Sequence, residues 1–247
     1  MDGTIFWMAG IAAAFCVGLS KGGVPAFGML GVPLLSLVIS PVAAAGLLLP
    51  VFVFSDVFGV WAYRKEFSRD VVRIAVPGIL FGGLIGWVTA SIVSEQFVRL
   101  LIGFIGAVFA LSLLMRRAVD GPPRPATWGQ GLFWTSVAGF TSFVSHAGAP
   151  PWQIWVLPQG LSKMVFAGTT TIVFAIMNAS KIVPYYFLGQ LAPQNLRVAA
   201  LLFLPAVVAV FVGYRLVKIM PDRVFFNIVA WTLLLVSVKL IWDGTFG

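Results

Sequence analysis

The sequence has little charge for its length. Only 10% of its 247 residues are charged, and 60% are hydrophobic. Soluble globular domains carry about 25% charged and 45–50% apolar residues, so the composition excludes an ordinary water-soluble domain. There is one cysteine and one histidine, which excludes a disulfide framework and a Cys/His metal cluster. The net charge of +8 comes from basic residues in short loops, so membrane topology explains it without a nucleic-acid partner.

Long hydrophobic runs are what the sequence does have. A membrane-spanning helix needs roughly 20 mostly apolar residues. The segments 71–91, 97–115, 196–214 and 224–242 approach that length and carry charges only near their ends. We therefore predict an all-α integral membrane protein that contacts the lipid bilayer along most of its chain.

The two halves of the sequence resemble each other. When the chain is shifted by 125 residues, 20–25 (SKGGVP) aligns with 145–150 (SHAGAP), and Asp56 aligns with Lys181. The same shift aligns Pro33 with Pro158 and Ser55 with Ser180. A shift that is larger by two residues aligns Gly86 with Gly213. Because these matches fall on Ser, Gly and Pro at helix breaks, we predict a duplication. The predicted parts are an N-terminal transmembrane repeat (1–115), a cytoplasmic linker (116–127) and a C-terminal transmembrane repeat (128–247).

The loops between the apolar segments differ in their basic residues. Lys and Arg concentrate in 64–73, 116–124 and 215–223, whereas 92–96 and 189–195 contain none. Loops rich in Lys and Arg stay in the cytoplasm. The first three loops are therefore predicted inside and the other two outside, which places both termini outside.

Matching loops of the two repeats carry opposite charge. The loop at 64–70 is predicted inside, yet its repeat partner 189–195 is predicted outside, and 92–96 and 215–223 show the reverse. Such inversion requires an odd number of crossings in each half, and about five segments fit. The predicted segments are 4–20, 25–40, 41–63, 71–91, 97–115, 128–145, 152–166, 167–188, 196–214 and 224–242. Because 25–40 and 152–166 are short, the prediction is eight to ten spans in two inverted-topology repeats.

Each half contains a Gly/Pro-rich break in a hydrophobic segment. Matching breaks in inverted repeats point to the binding site of a transporter, and a broken helix at membrane depth can expose backbone N–H groups and a positive dipole end. These features, with the hydroxyl, ammonium and imidazole groups nearby, suit capture of an anion. The candidate binding residues at the breaks are Ser20, Lys21, Gly22, Gly23, Ser145, His146 and Gly148. The alternative is that the breaks are ordinary polar turns between helices.

Two ionisable residues lie within apolar segments, where charge is usually functional. Asp56 and Lys181 occupy equivalent repeat positions, and we predict that they form an ion pair, with either a structural or a proton-coupling role. The single His146 is a further candidate for proton coupling. Lys181 is also a candidate solute-binding residue, and Asn178, on the same segment, is a candidate hydrogen-bond donor to the solute.

As a set, the break motifs and two further motifs resemble the sulfite exporter TauE/SafE family, also called the toluene sulfonate uptake permease family, over nearly the whole chain. The motifs are 18–23 (GLSKGG) with Pro25 and Gly28, 43–50 (AAAGLLLP), 145–151 (SHAGAPP), and Gly168-Thr169-Thr170 with Asn178 and Lys181. Many members of the family have glycine where this chain has Lys21.

The resemblance implies a permease of the bacterial or archaeal cytoplasmic membrane that moves a small sulfur-containing anion such as sulfite or sulfoacetate. It implies no cofactor and no metal, and it leaves a homodimer open. We expect alternating access, with proton coupling open. The alternatives are a passive anion channel or a permease for another small anion. An intramembrane enzyme is disfavoured, because Ser145 and His146 are sequence neighbours whose side chains point apart on a helix.

Overall fold

A computed structural model describes residues 3–89, 92, 94–115, 123–189, 191 and 193–246. These residues form ten α-helices and two short 3-10 helices, with no strand among them. The α-helices are α1 (Thr4–Lys21), α2 (Gly28–Leu35), α3 (Pro41–Tyr63), α4 (Arg69–Thr89), α5 (Glu95–Met115), α6 (Trp128–Ser145), α7 (Ala149–Val156), α8 (Lys163–Phe187), α9 (Pro193–Ile219) and α10 (Asp222–Phe246). The 3-10 helices are Pro25–Phe27, before α2, and Leu157–Gln159, after α7.

The prediction of an all-α membrane protein is confirmed. Seven of the described helices are long and apolar enough to cross a membrane: α1, α3, α4, α5, α8, α9 and α10. The helices α2 and α7 have eight residues each, which corresponds to about 12 Å and is too short to cross a hydrocarbon core of about 30 Å. The predicted segment 25–40 contains the 3-10 helix Pro25–Phe27 and α2, whereas 152–166 contains the end of α7, the 3-10 helix Leu157–Gln159 and the first residues of α8. The inverted topology stays a prediction.

The chain forms two compact units. Unit 1 comprises Met1–Phe67 and Ala167–Ile219, and unit 2 comprises Ser68–Phe166 and Met220–Gly247. Each unit thus draws on both predicted repeats, and the repeat boundaries themselves stay a prediction. Of the predicted linker, 116–122 lie outside the described residues, whereas 123–127 have no regular structure.

Unit 1 is organised around α1, which packs against α2, α3 and α9. Small residues let α1 and α9 approach closely. A Cβ atom at Gly18 would lie 2.7 Å from the Cβ atom of Ala209, and one at Gly22 would lie 2.7 Å from the Cα atom of Gly213. Such contacts between small residues are a common way for helices to associate in membranes.

Unit 2 uses the same device between α4 and α6, its most extensive helix pair. A Cβ atom at Gly82 would collide with the backbone of Ser136, and one at Gly86 would lie 2.9 Å from the Cβ atom of Phe143. The helices α5 and α10 form the second close pair, and α7 packs against α5, α6 and α10. The short helix after the second break is therefore held by three longer helices.

Large apolar side chains cover much of the outer surface of both units. Phe81, Phe104, Leu204 and Trp231 are among many that are more than half exposed. A soluble monomer rarely exposes apolar patches of this extent. The surface therefore fits contact with lipid chains.

Candidate functional site

Three charged side chains are buried in the described part of the chain, and all three lie in unit 1. Lys21 ends α1, Asp56 lies in α3 and Lys181 lies in α8, with exposed fractions of 2%, 4% and 3%. Charged residues are rarely buried unless they are paired, so their concentration in one unit marks a candidate site. We call Lys21, Asp56 and Lys181, together with the neutral Asn178 of α8, the charged cluster.

Asp56 binds both a lysine and an amide. One carboxylate oxygen, Oδ1, lies 2.8 Å from the Nζ atom of Lys21. The other, Oδ2, accepts a hydrogen bond from the Nδ2 atom of Asn178 at 2.8 Å. The carboxylate is therefore held by helices α1 and α8 while it is itself carried by α3.

Lys181 adds a second positive charge to this group. It lies within electrostatic range of both Asp56 and Lys21. The predicted pair between Asp56 and Lys181 stays a prediction, since the ion contact that the structure shows for Asp56 is with Lys21. With both lysines protonated and Asp56 ionised, the charged cluster carries one net positive charge in a buried place.

Aromatic rings and a hydroxyl group complete the surroundings of Lys21. Its Nζ atom lies 5.0 Å from the ring centroid of Phe52 and 6.0 Å from that of Phe174, within the range of cation–π attraction. Its carbonyl oxygen accepts a hydrogen bond from the hydroxyl of Thr171 at 3.2 Å. The two phenylalanines could not be identified from the sequence, because nothing in their spacing separates them from other apolar core residues.

The chain after α1 turns sharply because of Gly23, whose φ is +111°, a value that glycine adopts without a steric penalty. A Cβ atom there would also lie 2.9 Å from the Cβ atom of Ala167. The neighbouring carbonyl of Gly22 accepts a hydrogen bond from the hydroxyl of Tyr63 at 2.7 Å. Tyr63 thus joins the end of α3 to the first break.

The backbone N–H groups of the first break are used within the break itself. Those of Gly22, Gly23 and Val24 donate to carbonyls of the last turn of α1, at 2.9, 3.3 and 3.3 Å. The hydroxyl of Ser20 also donates to a carbonyl of α1, that of Val17, at 2.7 Å. The expectation that this break exposes free N–H groups therefore does not hold at 22–24, and the positive charge here comes from side chains.

The second break, in unit 2, is built differently. Ser145 is the last residue of α6, and His146 follows it in the left-handed conformation with a φ of +54°. Gly148 precedes α7 with an ordinary φ of −75°. The left-handed residue is thus His146 here, whereas at the first break it is Gly23, so the two motifs are not superimposable residue by residue.

Two prolines and one threonine shape this second break. Pro150 and Pro151 stand in the first turn of α7, where the missing N–H of proline costs little. The N–H of Ala147 donates to the carbonyl of Thr141 at 3.2 Å, and the Thr141 hydroxyl lies 3.0 Å from the carbonyl oxygen of Ala147. These contacts hold the chain in its turn between α6 and α7.

The structure therefore brings together only part of the predicted site. Ser20, Lys21, Gly22 and Gly23 lie with the charged cluster in unit 1, whereas Ser145, His146 and Gly148 lie in unit 2. The prediction that both breaks bind the same anion stays a prediction.

Seven long apolar helices with exposed apolar faces indicate a multi-pass membrane protein, in which a buried group of charges marks a functional site. The model of one protein family, described as Sulfite exporter TauE/SafE, matches the chain over residues 10–240. The chain belongs to this family, which consists of membrane permeases for sulfite and related sulfur anions. Comparison with curated proteins and with solved structures gave no match.

Proposed function

We propose that this protein transports a small sulfur-containing anion, such as sulfite, sulfoacetate or a related organosulfonate, across the cytoplasmic membrane of a bacterium or archaeon. The charged cluster is the observation that carries the proposal, since two buried lysines face one buried carboxylate. With both lysines protonated and Asp56 ionised, the cluster has a net positive charge, and an anion that binds next to the lysines balances it.

The chemistry of the cluster suits an oxyanion better than a metal cation. Its only carboxylate, Asp56, already binds Lys21 and Asn178, whereas a hard cation such as Ca²⁺ takes six to eight oxygen ligands. The ammonium groups of Lys21 and Lys181 are donors to oxyanions. We assign these two lysines as the main anion-binding groups, with Asn178 as a positioning group for the carboxylate.

The packing of the helices supports a duplicated transporter. The first helix of each predicted repeat packs against the fourth helix of the other repeat, as α1 with α9 in unit 1 and α6 with α4 in unit 2. The aligned glycines Gly86 and Gly213 lie in these two contacts. This reciprocal packing, in which each predicted repeat contributes the same two helices, is expected of two related halves. We propose that the two halves act by alternating access.

Binding is tested with purified protein in detergent against sulfite, thiosulfate, sulfoacetate and taurine at two pH values. A ligand that binds only the folded state at 100 times its Kd adds about 2.7 kcal/mol to the free energy of unfolding. We therefore expect at least one anion of this panel to raise the melting temperature. The proposal is refuted if none of the four is bound or transported.

Variants with matched controls then locate the site. Lys21→Met and Lys181→Met should each abolish the stabilisation by the anion. Lys239→Met is the control, because Lys239 pairs with Asp243 at 2.6 Å but is 42% exposed. For His146 the informative change is His146→Asn, since asparagine tolerates the left-handed conformation. Unchanged anion affinity in both Lys21 and Lys181 variants would place the site elsewhere.

Transport in proteoliposomes separates a carrier from a channel. A carrier shows saturation and counterflow, in which unlabelled anion on one side drives labelled anion against its gradient. A passive channel shows no counterflow. Repeating the flux measurement with an imposed pH gradient tests proton coupling, which the His146→Asn variant should remove if His146 carries the proton.

A further inference from the structure

Gln153 has a buried side-chain amide that makes no hydrogen bond to the described residues. It lies in α7, the short helix after the second break, and its exposed fraction is 0%. Neither its Nε2 nor its Oε1 atom has a hydrogen-bond partner among the described residues. The large majority of buried side-chain polar atoms are hydrogen-bonded, and the exceptions require an explanation.

A second glutamine close by shows how a structural amide behaves in this unit. Gln159, in the 3-10 helix after α7, has an exposed fraction of 9% and donates from Nε2 to the carbonyl of Trp155 at 3.1 Å. A backbone carbonyl of α7 therefore satisfies the buried side-chain amide of Gln159. Gln153 instead keeps both a donor and an acceptor without a partner.

A second polar group without a partner lies on the helices around α7. The Oγ atom of Ser237 in α10 is also buried and without a hydrogen bond in the described part of the chain. Ser237 Oγ and Pro150 Cβ both lie against Gly106 of α5. Pro150 and Gln153 are three residues apart on α7, so their side chains share a face of that helix. The helices α7 and α10, which pack against each other, thus each carry one buried polar side chain without a hydrogen bond among the described residues.

Resting on the proposed function, we propose that Gln153 is a solute-binding residue of unit 2. Its Nε2 group donates to an oxygen of the transported sulfur oxyanion, and its Oε1 atom accepts from a proton on the same solute. No charged side chain of unit 2 is buried among the described residues. The amide of Gln153 therefore contributes hydrogen bonds but no charge to the binding of the anion.

The test compares Gln153→Met with the matched control Gln159→Met. Methionine is close to glutamine in length and removes only the amide. Affinity for sulfite is measured by calorimetry, and the melting temperature is measured without sulfite. Gln153→Met should weaken sulfite binding at least about tenfold, because a donor to a charged oxygen is lost. Its melting temperature should be unchanged or higher, since an unpaired buried amide is removed.

The control should show the opposite pattern. Gln159→Met loses a hydrogen bond within the fold, so it should lower the melting temperature and leave sulfite affinity unchanged. Gln153→Glu, of equal size, is the second variant. Its acidic side chain should weaken sulfite binding as well, and it serves if the methionine variant does not fold.

The outcomes separate this inference from the proposed function. If the wild-type protein binds sulfite and Gln153→Met binds it equally well, the inference is wrong and the proposed function stands. A lowered melting temperature with unchanged affinity shows that the amide is structural, for example bound to a buried water. If the wild-type protein binds and transports none of the sulfur anions, the proposed function fails and the inference fails with it.

Discussion

Removing Asp56 should damage the protein more than removing either lysine of the charged cluster. Asp56 is the only buried carboxylate among the described residues, and it faces Lys21 and Lys181. Asp56→Asn leaves two buried ammonium groups without a negative charge. Lys21→Met leaves one charge of each sign, with Asp56 still bound by Asn178.

The separation of the charges sets the magnitude. At 2.8 Å, two unit charges attract by about 6 kcal/mol at an effective dielectric constant of about 20. Much of this offsets the cost of burying the ions, and breaking a buried pair by removing one partner costs about 3–5 kcal/mol. We expect Asp56→Asn to reach that range and Lys21→Met to cost less. The exposed pair is the control, and Lys239→Met should cost less than about 1 kcal/mol.

Thermal unfolding in detergent, without added anion, measures the order of these effects. A change of 1 kcal/mol shifts the melting temperature by about 2–4 °C in a chain of this length, so Asp56→Asn should lower it by about 6–20 °C. High salt should change the loss little, because buried pairs are screened weakly. If Lys21→Met is as damaging as Asp56→Asn, or if Asp56→Asn is neutral, the argument from unequal charge is refuted.

Three further changes test separate parts of the structure. Tyr63→Phe removes the donor to the carbonyl of Gly22 and should lower the free energy of unfolding by about 1–3 kcal/mol, measured by thermal unfolding. Gly82→Ala places a Cβ atom against the backbone of Ser136 and should cost about 1–3 kcal/mol or more, with no change of sulfite affinity in the protein that remains folded. In flux assays with proteoliposomes, Lys181→Met should reduce sulfite transport at least about tenfold, and a flux equal to that of the wild type would contradict its assignment to the site.

The positions of the helices could be predicted closely from the sequence. The predicted segments 41–63 and 128–145 coincide with α3 and α6, and 4–20 differs from α1 by one residue. Apolar length and Gly/Pro breaks mark these limits directly, because they reflect local backbone chemistry. The short segments were harder, since an apolar run after a proline does not indicate whether the helix continues for eight residues or for twenty.

The partners within the site could be predicted only in part. The sequence identified Lys21, Asp56, Asn178 and Lys181 as candidates, because ionisable and amide groups are rare in apolar segments. It did not identify Lys21 as the partner of Asp56, because contact depends on how α1 and α3 cross. Gln153 was missed as well. A glutamine in an apolar segment is a weak signal until the structure shows that its amide is buried without a partner.

The predicted duplication accounts for opposite charges at Asp56 and Lys181, and Lys21 adds a third charge to the cluster. Asp56 in α3 and Lys181 in α8 occupy aligned positions of the two predicted repeats, and both residues lie in unit 1. Identical residues at these positions would place two like charges near each other in a buried environment, which is strongly unfavourable. Opposite residues are mutually compatible, and together they carry no net charge. Lys21 is then the residue that makes the cluster positive, and the proposed anion is what balances it.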